Sequence, residues 1–143
     1  MTMNRLRTAL VGAGIALALA TLPATAQAAE APSVPAPSGA AADGKLHVYL
    51  DYNYVGECAA WAGNSANWGT CRNKVSSLRN NGYPGSLDDV WVYYGLNYTG
   101  ARRGVHNGVS LSNLSQWTFD PNTGSGSGQQ LNDNIASHKW TNL

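Results

Sequence analysis

Apolar and polar positions set up the same pattern twice along this chain. Leu46-His-Val-Tyr-Leu50 alternates with a period of two and predicts a first strand. Val90-Trp-Val-Tyr-Tyr94 is β-branched or aromatic throughout and predicts the strongest strand of the protein. Each runs into one phrase: Tyr49-Leu-Asp-Tyr-Asn-Tyr-Val-Gly56 and, forty-four positions on, Tyr93-Tyr-Gly-Leu-Asn-Tyr-Thr-Gly100. Both end in Asn-Tyr-x-Gly. Asn tolerates positive φ and Gly adopts it without a Cβ clash, so each phrase predicts a strand folding over into a tight hairpin, its first aromatic packed on the turn. A second pair, Lys74-Val-Ser-Ser-Leu-Arg79 and Asn134-Ile-Ala-Ser-His-Lys139, lies sixty positions apart. The chain reads as a duplicated β unit.

Between these anchors, residues 56–61 predict a returning strand and residues 75–78 a short one. Asn80-Asn-Gly-Tyr-Pro-Gly85 breaks the pattern and marks the joint between the units. The second unit is the longer: Gly56 to Ser77 spans 21 positions and Gly100 to Ser137 spans 37, so about sixteen residues are inserted. Within them Leu111, Leu114 and the neighbouring Trp117 suit helical spacing, with Ser110 as N-cap, and predict one or two helical turns. Asp120-Pro-Asn-Thr-Gly-Ser-Gly-Ser-Gly128 predicts a flexible loop, and residues 131–140 a return to the sheet. Eight or so short strands in two homologous halves predict an all-β protein, a two-sheet Greek-key sandwich with a short helix in its second unit.

The first part of the chain stands outside this pattern. Arg5 and Arg7 precede an apolar run of residues 9–22, and Ala26-Gln27-Ala28 supplies a cleavage signal, so residues 1–28 predict a signal peptide and a secreted product. The run is too short to span a bilayer with ease. Residues 29–43 carry three prolines and no aromatic and predict a flexible Pro/Ala-rich linker, leaving residues 44–143 as one small domain. Without Arg5 and Arg7 the charge is seven Lys/Arg (9 − 2) against eight Asp/Glu, or −1. No electrostatic hold on nucleic acid or anionic lipid follows from it, and a monomer with no membrane attachment after cleavage is expected. Cys58 and Cys71 are the two cysteines of an exported chain and predict a disulfide. Closing that loop contributes roughly 3 kcal/mol on the chain-entropy model.

The residues of catalysis are scattered. His47 falls in a strand, His106 in a turn and His138 near the terminal strand, while the neighbours Asp88 and Asp89 point apart if extended. No G-x-S-x-G, H-E-x-x-H or phosphate loop is present, so no catalytic residue is assigned and no enzyme is expected. Trp61, Trp68, Trp91, Trp117 and Trp140 are expected in the core of a domain with a single Phe, with a glycan-stacking surface as the alternative.

An aromatic, six residues, a glycine and a later serine resemble the unit of the βγ-crystallin fold. Tyr49, Gly56 and Ser77 match it in the first half, and Tyr93, Gly100 and Ser137 in the second. The resemblance implies that each serine hydroxyl ties down the folded hairpin. Within that fold, Asn73-Lys-Val-Ser-Ser-Leu-Arg-Asn-Asn-Gly82 followed by an aromatic strand is similar to secreted microbial peptidase inhibitors of the Streptomyces-type metalloproteinase inhibitor family. That implies a rigid sandwich presenting a loop to a secreted protease, with a metalloprotease as target. By its exposure and chemistry the candidate contact loop is Arg102, Arg103, Gly104, Val105 and His106. The fold family also implies calcium, bound by the pattern Asn/Asp, Asn/Asp, two free positions, Ser/Thr, Ser. Arg72-Asn-Lys-Val-Ser-Ser77 and Asn132-Asp-Asn-Ile-Ala-Ser137 follow it with one departure each, Arg72 and Ala136, leaving Asn73, Ser76, Asn132 and Asp133 as weak candidates. No other cofactor is implied. The alternatives to an inhibitor are a calcium-stabilised structural or stress protein and a killer-toxin-like, glycan-binding module of the cell wall.

Overall fold

Alternation decides the first strand as expected. In β1 (Lys45–Tyr49), Leu46 and Val48 are buried while Lys45 is exposed and His47 and Tyr49 are half-buried. The computed structural model describes residues 41–143; the predicted signal peptide and most of the predicted linker lie outside the described residues. Asp43, assigned to the linker above, is bonded into the sheet: its N–H donates to the Asn81 carbonyl at 3.1 Å, and its carboxylate meets His47 and Asn81.

The remaining strands are β2 (Glu57–Trp61), β3 (Ser77–Asn81), β4 (Asp89–Tyr93), β5 (Arg102–Val105), β6 (Ser110–Leu111) and β7 (Ser137–Thr141). Two antiparallel sheets result, ordered β2-β1-β3-β6 and β5-β4-β7. The halves are not separate layers. The second half lends β6 to β3, with Leu78 opposite Leu111. The first half lends Ser65 to β7, where it exchanges both backbone hydrogen bonds with His138 at 2.9 and 3.1 Å. Leu46, Val48, Leu78, Val90, Val92 and Phe119, all fully buried, fill the space between the sheets.

Three expectations change. The helix over residues 111–117 is a single 3-10 turn, Leu114–Gln116, because Leu111 is drawn into β6 and Asn113, not Ser110, caps the turn through Ser115 N–H. Residues 120–128 are held rather than loose: Asp120 N–H donates to the Arg102 carbonyl, Ala101 N–H to the Ser125 carbonyl, and Thr123 and Ser127 bond within the loop. The tryptophans divide. Trp68 is core, Trp61 and Trp140 pack at its margin, and Trp91 and Trp117 lie under the guanidinium groups of Arg102 and Arg103 at 4.4 and 4.8 Å. Stacking under Arg satisfies an aromatic face without full burial.

His138 is a member of the core. Trp68 Nε1–H donates to its Nδ1 at 2.8 Å, and its Nε2 meets the Gly63 carbonyl at 2.8 Å. Burial lowers its pKa to about 4 against the opposing pull of the Gly63 carbonyl, so the ring is neutral at physiological pH. Cys58 and Cys71 form the expected disulfide, their Cα atoms 5.9 Å apart.

Candidate functional site

The two arches match at the positions that make the fold-over. After β1, Asn53 and Tyr54 have φ of 57° and 64°, and Gly56 has φ 69°; after β4, Asn97 and Tyr98 have 55° and 61°, and Gly100 has 77°. Each first tyrosine meets the later one edge-on, Tyr49 to Tyr54 at 5.7 Å and Tyr93 to Tyr98 at 6.0 Å. A serine on the last strand of each unit then closes the arch. Ser77 Oγ accepts from Tyr54 N–H at 3.0 Å and donates to the Asp51 carbonyl at 2.6 Å. Ser137 Oγ accepts from Tyr98 N–H at 3.1 Å and donates to the Gly95 carbonyl at 2.6 Å. Tyr49, Gly56, Ser77, Tyr93, Gly100 and Ser137 therefore hold the places the pattern gave them.

The stretches before these serines cross one another. Asn73 N–H donates to the Ile135 carbonyl at 3.0 Å, and Asp133 N–H donates to the Val75 carbonyl at 3.1 Å. Asn73 and Asp133 are equivalent in conformation, with φ of 57° and 58°. The crossing brings the four cation candidates, two from each unit, into one pair of loops. It pins those loops through Val75 and Ile135, both buried in the core.

The oxygen chemistry of these residues is of the kind a calcium ion takes. Asn132 Oδ1 is buried without a hydrogen-bond partner, while its amide donates to Asp133 Oδ2 at 3.0 Å. An unpaired buried carbonyl oxygen costs free energy that a hard cation would offset. Among the described residues no group of three or more His, Cys, Asp or Glu side chains is placed to hold a metal. Of the four candidates Asp133 is the one carboxylate, and the others offer amide and hydroxyl oxygens. A low charge count places such a site in the weak range, with dissociation constants on the order of 10⁻⁴–10⁻³ M.

The candidate protease-contact loop is not a loop. Arg102, Arg103, Gly104 and Val105 form β5, the edge strand of the second sheet, paired with β4 from Val90↔Val105 to Tyr93↔Arg102. Two consecutive arginines and a glycine have little strand propensity of their own. They are extended because β4 offers a ladder on one side, while on the other Asp120 and Thr123 bond the backbone of Arg102. Only His106 follows the strand, its Nδ1 3.5 Å from Asp89 Oδ1. Burial pushes the Asp89 carboxyl up, but the Leu143 and Asn107 N–H groups together with His106 hold it below the usual range.

The histidines stay apart. His47 lies between two carboxylates, Nε2 2.7 Å from Asp43 and Nδ1 3.0 Å from Glu57. Among the described residues no serine, threonine or cysteine side chain is hydrogen-bonded to any histidine. The residues the sequence reading missed are Phe119 and Asn80. Phe119 is fully buried edge-on to Tyr94 at 5.7 Å. Asn80 is fully buried with its amide on the carbonyls of Asp88 and Val105. Both sit in polar, turn-rich sequence, where periodicity carries no signal.

No protein-family model matches the chain, and no curated protein matches it. Solved structures do. One, described as "Evolution of the eye lens beta-gamma-crystallin domain fold", is 18% identical with a TM-score of 0.55 over 74% of this chain and 93% of that one. A beta gamma crystallin from Ciona intestinalis is 15% identical with a TM-score of 0.50, over 68% of this chain and the whole of that one. At these identities the likeness is one of fold, and the fold of this chain is that of the βγ-crystallins.

Proposed function

We propose that this chain is an exported, non-catalytic structural or stress-type domain whose βγ-crystallin sandwich gains stability from weakly bound calcium. The crossed loops carry this reading. They set Asp133 and Asn73 in matching left-handed conformations and leave Asn132 Oδ1 buried and unpaired. Asp133, Asn132, Asn73 and Ser76 would hold the ion. A bound cation ties the two loops, hence the two units, and so adds to the folded state alone.

The test is thermal melting with calcium and with a chelator. With a dissociation constant near 1 mM, calcium at ten times that concentration stabilises by about 1.4 kcal/mol. For a domain of this size that raises the melting midpoint by roughly 5–10 °C. Asp133→Ala is expected to abolish the increment. An unchanged midpoint in the unaltered protein would remove the calcium reading.

The inhibitor reading rests on the resemblance of residues 73–82 and the strand that follows, and takes a secreted metalloprotease as partner. No protruding loop at residues 102–105 supports it, since these form β5. Titration against a thermolysin-like and a subtilisin-like protease tests it, and full protease activity at micromolar protein would dispose of it.

A further inference from the structure

A groove of about 360 Å³ opens where the chain leaving β2 and the turn joining β3 to β4 meet β7. Its walls include Asn64, Tyr83, Ser86, Leu87 and Trp140. The volume falls within the range of small-molecule sites, about 300–1,000 Å³. We propose that this groove binds a neutral saccharide, stacked on Tyr83 and Trp140.

The lining disfavours an ionic ligand. None of the residues lining the groove is charged. An ionic ligand would be desolvated there with no opposite charge to meet it. What the groove offers is aromatic surface and neutral hydrogen-bonding groups, the pairing that matches a sugar ring's apolar face and hydroxyl rim.

The aromatic walls are placed by the backbone beneath them. Tyr83 lies on Gly44, where a Cβ would come within 2.5 Å of the ring, and yet the residue remains 65% exposed. Trp140 lies over Gly82, where a Cβ would come within 2.7 Å of it. The Trp140 indole N–H donates to the Gly63 carbonyl at 3.1 Å, and its backbone N–H to Asn64 Oδ1 at 2.8 Å. That leaves the Asn64 amide N–H groups unspent. The Ser86 hydroxyl and Tyr83 phenol likewise have no protein partner among the described residues.

Leu87 adds an independent observation. It stands at the rim with φ 56° and is 56% exposed. A leucine in the left-handed region costs on the order of 1–2 kcal/mol, and here the residue stays more than half exposed. Its N–H is held by Asn142 Oδ1 at 2.6 Å. Strain kept at an exposed apolar side chain beside an aromatic groove is what a contact residue would show. The proposal does not rest on calcium, since none of the cation candidates lines the groove.

The experiment is an amide NMR titration of the purified full chain, in chelator, with chitotriose, cellotriose and maltotriose as probes. At least one is expected to give saturable shifts confined to residues 62–64, 82–87 and 140. Tyr83→Ala removes an exposed ring without opening the core and is expected to weaken binding at least about tenfold. Trp117→Ala, an exposed tryptophan elsewhere, is expected to leave it unchanged. Leu87→Gly relieves the backbone and is expected to raise the melting midpoint while weakening binding, a split that damage to the fold cannot produce. The proposal is overturned if no probe shifts these residues at millimolar concentration, if shifts fall elsewhere, or if Tyr83→Ala binds as well as the unaltered chain.

Discussion

The two arches share a backbone and differ in what holds the strand that leaves them. In the first, Cys58 on β2 is joined to Cys71, and the outer residues Leu50, Tyr52 and Val55 stay exposed. In the second, Arg102 stands where Cys58 does, and hydrogen bonds from Asp120 and to Thr123 hold it. Tyr94, at the place of Leu50, is half-buried against Phe119 and lies so close over Gly126 that a Cβ there would come within 2.3 Å of its ring. One half is stapled by a covalent bond and left open, while the other is covered by the sixteen inserted residues. The pair teaches that the arch itself is indifferent to its outer support. Its own closure, serine to backbone, is the same in both.

The largest expected effect breaks the packed half. Phe119→Ala leaves a cavity between Tyr94 and the sheets and is expected to cost about 3–5 kcal/mol in denaturant unfolding. Amide exchange should rise at Ala101 and Arg102 while Glu57 and Cys58 keep their protection; a loss under about 1 kcal/mol would mean the inserted loop is ornament. Next comes the stapled half. Replacing Cys58 and Cys71 together by alanine removes a constraint of roughly 3 kcal/mol, with the exchange pattern reversed. Equal loosening of both halves would show that the staple acts on the whole unfolded chain alone. The smallest effect sharpens the shared part. Ser77→Ala and Ser137→Ala each strand a backbone N–H and a carbonyl and are expected to cost about 1–3 kcal/mol apiece. Values that differ by more than about 1 kcal/mol would show that the two closures are not equivalent.

The arches were readable because their chemistry is local. Asn and Gly at the positive-φ positions, an aromatic seven residues before the glycine and a serine on a later strand are all visible in one dimension. The disulfide was readable for a similar reason, there being two cysteines and one pairing. β5 was not, since Arg102, Arg103 and Gly104 lack strand propensity and become extended only between β4 and the inserted loop. The turn at Leu114–Gln116 was overread because Leu111 and Leu114 share helical spacing but belong to different elements, a strand pairing with β3 and a capped 3-10 turn. The cation candidates fall in two stretches that each depart once from the calcium pattern, at Arg72 and Ala136. Their crossing, with Asn73 bonded to Ile135 and Asp133 to Val75, joins residues about sixty positions apart and has no signature in either motif.

What the sequence determined by itself is the duplicated arch, because backbone stereochemistry leaves few residues able to make that fold-over, and both copies spell them. The tertiary structure alone decided the exchange of β6 and Ser65 between the sheets, the burial of Phe119 and His138, and the groove between Tyr83 and Trp140. Each of these depends on which distant surfaces meet, and hydrophobic burial, which drives the meeting, is blind to position along the chain.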